Sequence, residues 1–203
     1  AVYSFLNSAV GAVPKYFCER MLGTVQFSYF SGIFAPVVIL QVGATYLFVP
    51  FITTFARLWN EHKIKEFCRG LGIVALVLGM LGVFGMGGVA LLGRWALGIL
   101  YFSKPEILPY ADLLYPLVLS TVVTTFVLVL CHLLTILREM RGLILGNVIG
   151  ILASLLLSPP LLARFGIYGA AYATLAAAAA QAITLLLFLV RRCKKESTLP
   201  SSR

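Results

Sequence analysis

Ile73-Val74-Ala75-Leu76-Val77-Leu78 lies inside a run of 24 uncharged residues, Gly70 to Gly93. The six side chains do not alternate between apolar and polar, as a membrane β-strand with one lipid face and one lumen face requires. The run also exceeds the about 20 residues that an α-helix needs to cross about 30 Å of hydrocarbon. Four further uncharged runs are as long or longer than one crossing: Met21 to Ala56, Leu113 to Leu137, Gly142 to Ala163 and Phe165 to Val190. A shorter one, Ala1 to Pro14, opens the chain. Of the 203 residues 61% are apolar and 11% charged, against roughly 45–50% and 25% in a soluble domain. A water-soluble globule is excluded, and the pattern predicts an all-α polytopic membrane protein.

The predicted spans cover about 1–14, 24–50, 70–93, 112–137, 142–163 and 168–190, followed by a basic tail over 191–203. The first run starts at Ala1 with no basic segment before it, and reads as the truncated end of a helix that begins upstream. On that reading the chain is the carboxy-terminal part of a longer protein. The run from Met21 is too long for one crossing and too short for two. It is therefore expected to cross once over 24–50, kinked at Pro36, and to continue after Pro50 as an interfacial helix over 51–66.

The charges orient these spans. Basic residues accumulate in cytoplasmic loops, and the Lys and Arg residues here divide unevenly between alternate loops. Arg57, Lys63, Lys65 and Arg69 follow the second span, Arg138 and Arg141 the fourth, and Arg191, Arg192, Lys194, Lys195 and Arg203 the sixth. The opposite loops hold Lys15, Arg20, Arg94, Lys104 and Arg164. The bias repeats in all three pairs and places the carboxy terminus in the cytoplasm. The net charge of +9 is thus a topology signal, and nucleic acid is not an expected partner. Anionic lipid is an alternative use of the tail.

Small residues recur every fourth position at Gly142, Gly146, Gly150, Ser154 and Ser158, a ridge that lets a neighbouring backbone approach closely. The alanines from Ala173 to Ala180 serve the same end in the sixth span. Polar side chains within spans are few, and each needs a partner or a wet cavity. Asn7, Gln41, Thr45, Thr121, Thr124, Thr125, His132, Asn147 and Gln181 make up that set. His132 is either a neutral imidazole bonded to an adjacent helix or a lumen-facing proton or anion site. The four cysteines, Cys18, Cys68, Cys131 and Cys193, show neither metal spacing nor a disulfide framework. No phosphate-binding Gly-Lys-Ser/Thr loop or nucleophile elbow occurs, so no catalytic residue, metal or cofactor is expected. Glu106 and Asp112 are a thin pair of interfacial carboxylates, solvated loop charges in the alternative.

Asn7-Ser8 followed by Pro14-Lys15-Tyr16-Phe17, then Leu22-Gly23 and an aromatic-rich helix reaching Pro50, resembles the start of the second half of bacterial polysaccharide (O-antigen type) flippases. These belong to the multidrug/oligosaccharidyl-lipid/polysaccharide exporter superfamily. Leu100-Tyr101 ahead of Tyr110-Ala111 is similar to the turn before that family's tenth helix. Gly166-Ile167-Tyr168-Gly169-Ala170-Ala171-Tyr172-Ala173-Thr174 resembles the start of its twelfth. The resemblance covers essentially the whole chain. It implies the six-helix carboxy-terminal lobe of a two-lobed, twelve-helix fold in the bacterial plasma membrane, partnered by the missing amino-terminal lobe.

The implied activity is not enzymatic: an undecaprenyl-pyrophosphate-linked oligosaccharide is moved from the cytoplasmic to the outer leaflet. Its sugar head crosses a wet cavity while its polyprenyl tail stays among membrane lipids. Lys15, Asn7, Gln41 and His132 are the candidate cavity residues. Lys15 stands where the family usually has arginine, so an anion role there becomes that of a point charge; the alternative is anchoring at the outer interface. Other readings are a multidrug or peptidoglycan-precursor transporter of the same superfamily, an integral-membrane glycosyltransferase or polymerase, and a non-transporting structural subunit.

Overall fold

The computed structural model describes residues 2–101 and 105–197. Helices α1 (Val2–Leu22), α2 (Thr24–Asn60), α3 (Ile64–Leu100), α4 (Leu114–Ile136), α5 (Met140–Phe165) and α6 (Ile167–Ser197) account for nearly all of it. A 3-10 segment, Pro105–Leu113, leads into α4. Stretches in five of the six, α2 to α6, are long and apolar enough to cross a membrane. The protein is an all-α, multi-pass membrane protein. Large apolar side chains such as Ile39, Phe84, Leu91 and Leu156 are exposed on the bundle exterior, where lipid rather than water is their natural solvent.

α6 packs chiefly on α5 and α4, α1 lies against α5, and α2 and α3 rest on α4. Two apolar clusters occupy opposite ends of the bundle. One joins Phe55, Phe67, Leu78, Leu134, Leu143, Leu185 and Leu189; the other joins Cys18, Phe30, Ile33, Leu97, Leu117, Leu162 and Ala170. Between them, by helix register, α4, α5 and α6 contribute a belt of buried polar residues: Ser120, Thr121, Thr125, Asn147, Ser154, Ser158 and Gln181.

Helix ends depart from the boundaries read in the sequence, for identifiable reasons. α1 does not stop near residue 14, although Pro14 lies inside it. A proline removes its own N–H and orphans the carbonyl four residues earlier, here Val10 O, which accepts a hydrogen bond from Ser154 Oγ at 3.1 Å. Pro36 does the same to Gly32 O, and that oxygen accepts from Tyr101 Oη at 2.9 Å. α2 therefore continues past Pro36, and past Pro50, to Asn60. The separate interfacial helix over 51–66 is not formed; its last residues open α3.

The reversal falls at Glu61-His62-Lys63. His62 adopts φ 55, His62 N–H donates to Trp59 O at 3.0 Å and Lys63 N–H to Leu58 O at 3.0 Å, the paired bonds of a Schellman stop. Lys63 Nζ lies 2.8 Å from Glu61 Oε2, and this hydrogen bond and charge hold the Glu61 carboxyl below its usual range. Arg138 (φ 53) and Glu139 repeat the same stop after α4, onto Thr135 O and Leu134 O. The basic tail is not a separate segment as far as Ser197, since Arg191 to Lys195 form the last turns of α6. Residues 198–203, Lys104 and the side chains of Asn7, Arg94 and Glu106 lie outside the described residues.

The small-residue ridge of α5 is wholly buried. A Cβ on Gly142 would come within 2.7 Å of Phe188 Cβ, and one on Gly146 within 2.5 Å of Leu185 Cδ2. Gly150 faces Gln181 of α6, while Ser154 reaches α1 through the bond to Val10 O. Ser158 Oγ donates back to Ser154 O at 2.6 Å.

The proline-orphaned carbonyl of α2 makes a test possible. Interhelical hydrogen bonds in bilayers average about 0.6 kcal/mol, with a maximum near 1.7. Gly32 O has no donor at position 36 to fall back on, so Tyr101→Phe is expected toward the upper end, about 1.5 kcal/mol. Thermal unfolding in detergent should show an earlier transition for Tyr101→Phe and none for Tyr46→Phe, whose ring is exposed. Equal behaviour of the two variants would show that the clip does not hold α2.

Candidate functional site

The polar belt opens onto a cavity of about 420 Å³ bounded by α1, α2, α4 and α6, within the range of about 300–1,000 Å³ usual for ligand sites. α1 brings Ser8 and Lys15, α2 Phe34 and Gln41, α4 Ser120, Thr121 and Thr124, and α6 Thr174 and Gln181. These positions follow from helix spacing: Ser120 and Thr124 are one turn apart, and Thr174 and Gln181 two turns. Each pair therefore shares a face.

Lys15 is the one charged side chain among the described residues of the wall. Its Nζ sits 4.3 Å from the centroid of the Phe34 ring, close enough for the electron-rich face to hold the cation.

The hydroxyls around it are not equivalent. Ser120 Oγ donates to Leu117 O, Thr124 Oγ1 to Ser120 O and Thr174 Oγ1 to Ala170 O, each at 2.8 Å. Their protons are committed to the backbone, and what remains for a ligand is lone pairs. Gln181 Nε2 donates to Asn147 Oδ1 at 3.0 Å, and Asn147 Nδ2 donates to Leu143 O at 2.7 Å, so two amides fix each other behind the wall. Thr121 Oγ1 is buried with no hydrogen-bond partner, although a buried hydroxyl left unpaired costs about 1–3 kcal/mol. The described wall thus offers hydroxyl oxygens as acceptors, the Ser8 hydroxyl, the Gln41 amide and one cation.

Of the four candidate cavity residues, the structure brings Lys15 and Gln41 to this cavity. His132 lies elsewhere: it lines a smaller, apolar cavity with Thr45, Phe48 and Thr125, and its Nδ1 is 2.7 Å from Leu128 O. A carbonyl can only accept, so Nδ1 carries the proton and the imidazole is bonded within its own helix. The Asn7 side chain lies outside the described residues. The polar span residues Thr121, Thr124 and Gln181 complete the wall together with Ser120 and Thr174, which the sequence reading did not single out; the spacing of Ser120 to Thr124 and of Thr174 to Gln181 is the signal that places those pairs on one face. Compared with protein-family models, curated protein sequences and solved structures, the chain matches none of them.

Proposed function

We propose that the chain is a transport lobe, the carboxy-terminal half of a flippase that carries an oligosaccharide on a polyprenyl pyrophosphate from the cytoplasmic to the outer leaflet. The observation that carries this reading is the polar cavity placed between two apolar ends of a membrane bundle. Its wall presents acceptors and one cation, and the complementary ligand is rich in hydroxyl donors with limited negative charge. A sugar head group attached near a phosphate has that character. A strongly cationic drug does not, since Lys15 would repel it. The resemblance described above supports the same cargo, and the bias of the basic loops supports a cytoplasmic carboxy terminus.

Transport on this reading is non-covalent. The head group exchanges water for the wall's hydrogen bonds while the polyprenyl tail remains in lipid, and rocking of two lobes opens the cavity to each side in turn. The test is reconstitution of the lobe joined to its amino-terminal partner lobe into vesicles holding a fluorescent oligosaccharide on a polyprenyl pyrophosphate, with a membrane-impermeant quencher outside. Protein-dependent access of the inner-leaflet label to the quencher is the expected result. Vesicles that expel a cationic dye but leave the glycolipid unmoved would replace this reading with drug export.

A further inference from the structure

We propose that the groove between α2 and α3 holds an acyl chain of an anionic phospholipid, with the lipid phosphate at Lys65 and Arg69. The groove is a cavity of about 490 Å³, walled on one side by Phe48, Phe51, Phe55 and Leu58 of α2. On the other side its lining runs along α3 from Gly70 to Phe84, about 21 Å at 1.5 Å per residue. One leaflet supplies about half of the about 30 Å of hydrocarbon, so the groove matches a single lipid tail in length rather than a whole crossing. Thr54 is the one polar side chain among its described lining residues. It opens outward, since Phe51, Ile73, Val77, Met80 and Phe84 are all exposed.

Charge decides which lipid. The turn at the end of the groove carries four cations, Arg57, Lys63, Lys65 and Arg69, against two carboxylates, Glu61 and Glu66, a surplus of two. Glu61 is engaged by Lys63 at 2.8 Å and by Arg57 at 3.8 Å. Lys65 and Arg69 are exposed, and neither bridges a carboxylate among the described residues. They lie one turn apart on α3, and Arg69 lies one turn before Ile73 of the groove. A phosphate at that pair sits at the membrane surface, where Lys and Arg attract anionic headgroups, and accepts charge-assisted hydrogen bonds from both. The tail then runs past Ile73 towards Phe84.

Other occupants meet specific obstacles. A second copy of this chain, related by an axis along the membrane normal, would bring its own basic turn to the same end of the groove, and like charges would oppose each other. The polyprenyl tail of a cargo seated here would keep its head group out of the polar cavity, because no residue of α3 lines that cavity among the described residues. The assignment goes beyond the transport reading and does not depend on it.

The wild-type chain in phosphatidylcholine vesicles provides the test. The vesicles carry a trace of phospholipid with a photoactivatable diazirine on its acyl chain and either a phosphoglycerol or a phosphocholine headgroup, and adducts are mapped by mass spectrometry after illumination. The phosphoglycerol probe is expected to label residues 73–84 about fivefold or more above the phosphocholine probe, and unlabelled phosphatidylglycerol should compete that labelling away. Lys65→Gln combined with Arg69→Gln should abolish the preference, while the two probes label the exposed Leu152 region of α5 equally throughout. Val77→Trp fills the groove from an exposed position and should suppress labelling there by both probes. Equal labelling of 73–84 by the two probes in the wild-type chain, or labelling there no denser than around Leu152, would overturn the assignment. So would competition by a polyprenyl pyrophosphate but not by phosphatidylglycerol, which would give the groove to the cargo instead.

Discussion

Gly169→Ala should remove most of the folded protein, through the addition of a single methyl group. The turn between α5 and α6 is closed by Gly166 at φ 55, with Gly169 N–H donating to Gly166 O at 2.9 Å. That geometry brings the start of α6 against the end of α5 so closely that a Cβ at 169 would overlap the Leu161 carbonyl. Backbone cannot swing aside as a side-chain tip can, so the two helices must part. Ala170 and Ala171, both fully buried, would lose their contacts with them. Overpacking ordinarily costs about 1–3 kcal/mol, and a clash with main chain belongs at the top of that range or beyond. Gly79→Ala is the matched control, because nothing lies within 4 Å of its added Cβ. Expression level and thermal unfolding in detergent should fall steeply for the first variant and hold for the second. Similar stability of the two would mean that α5 and α6 do not meet as described.

The second large effect is on transport. Lys15→Gln keeps length and polarity but removes the only charge on the described wall, and is expected to slow glycolipid movement by about tenfold or more, a loss of about 1.4 kcal/mol of stabilisation. Lys15→Arg should retain activity, since a guanidinium can also rest on the Phe34 ring and pairs well with phosphate. Surface glycan in producing cells, at matched protein level, reads the effect. Normal export by Lys15→Gln would eliminate Lys15 as a cargo contact. Loss of the protein itself in Lys15→Gln would instead identify Lys15 as an anchor at the membrane interface.

The spans were legible because charge is expensive in hydrocarbon: each of the four long runs free of it from Gly70 onward falls on one helix of the structure, overstepping its ends by at most two residues. Helix ends were less legible. The stops at His62 and Arg138 use a left-handed residue without glycine, so the usual signal for a Schellman turn is absent from the sequence. The continuity of α1 and α2 through their prolines was hidden for another reason. The hydroxyls that satisfy Val10 O and Gly32 O come from residues 144 and 69 positions away, beyond the reach of any local pattern.

In the site, Gln41 could be picked out as a polar residue in an apolar run, and Lys15 through the resemblance, as the cation after Pro14. His132 passed the same test yet lies elsewhere, because eight residues beyond Thr124 carry it about 12 Å along α4, past the cavity floor. Polarity and the resemblance identified candidates; only the three-dimensional register sorted them.

The clip between Gly32 and Tyr101 also orders the routes by which this chain can change. A residue other than proline at position 36 would supply its own N–H to Gly32 O, and the Tyr101 hydroxyl would then be redundant. A lineage that replaces Pro36 first can afterwards drift at position 101 at little cost. One that loses the hydroxyl first must pass through a form with a part-buried, orphaned carbonyl. The two substitutions are tolerable in one order and not in the other, so descendants should relinquish the proline before the tyrosine.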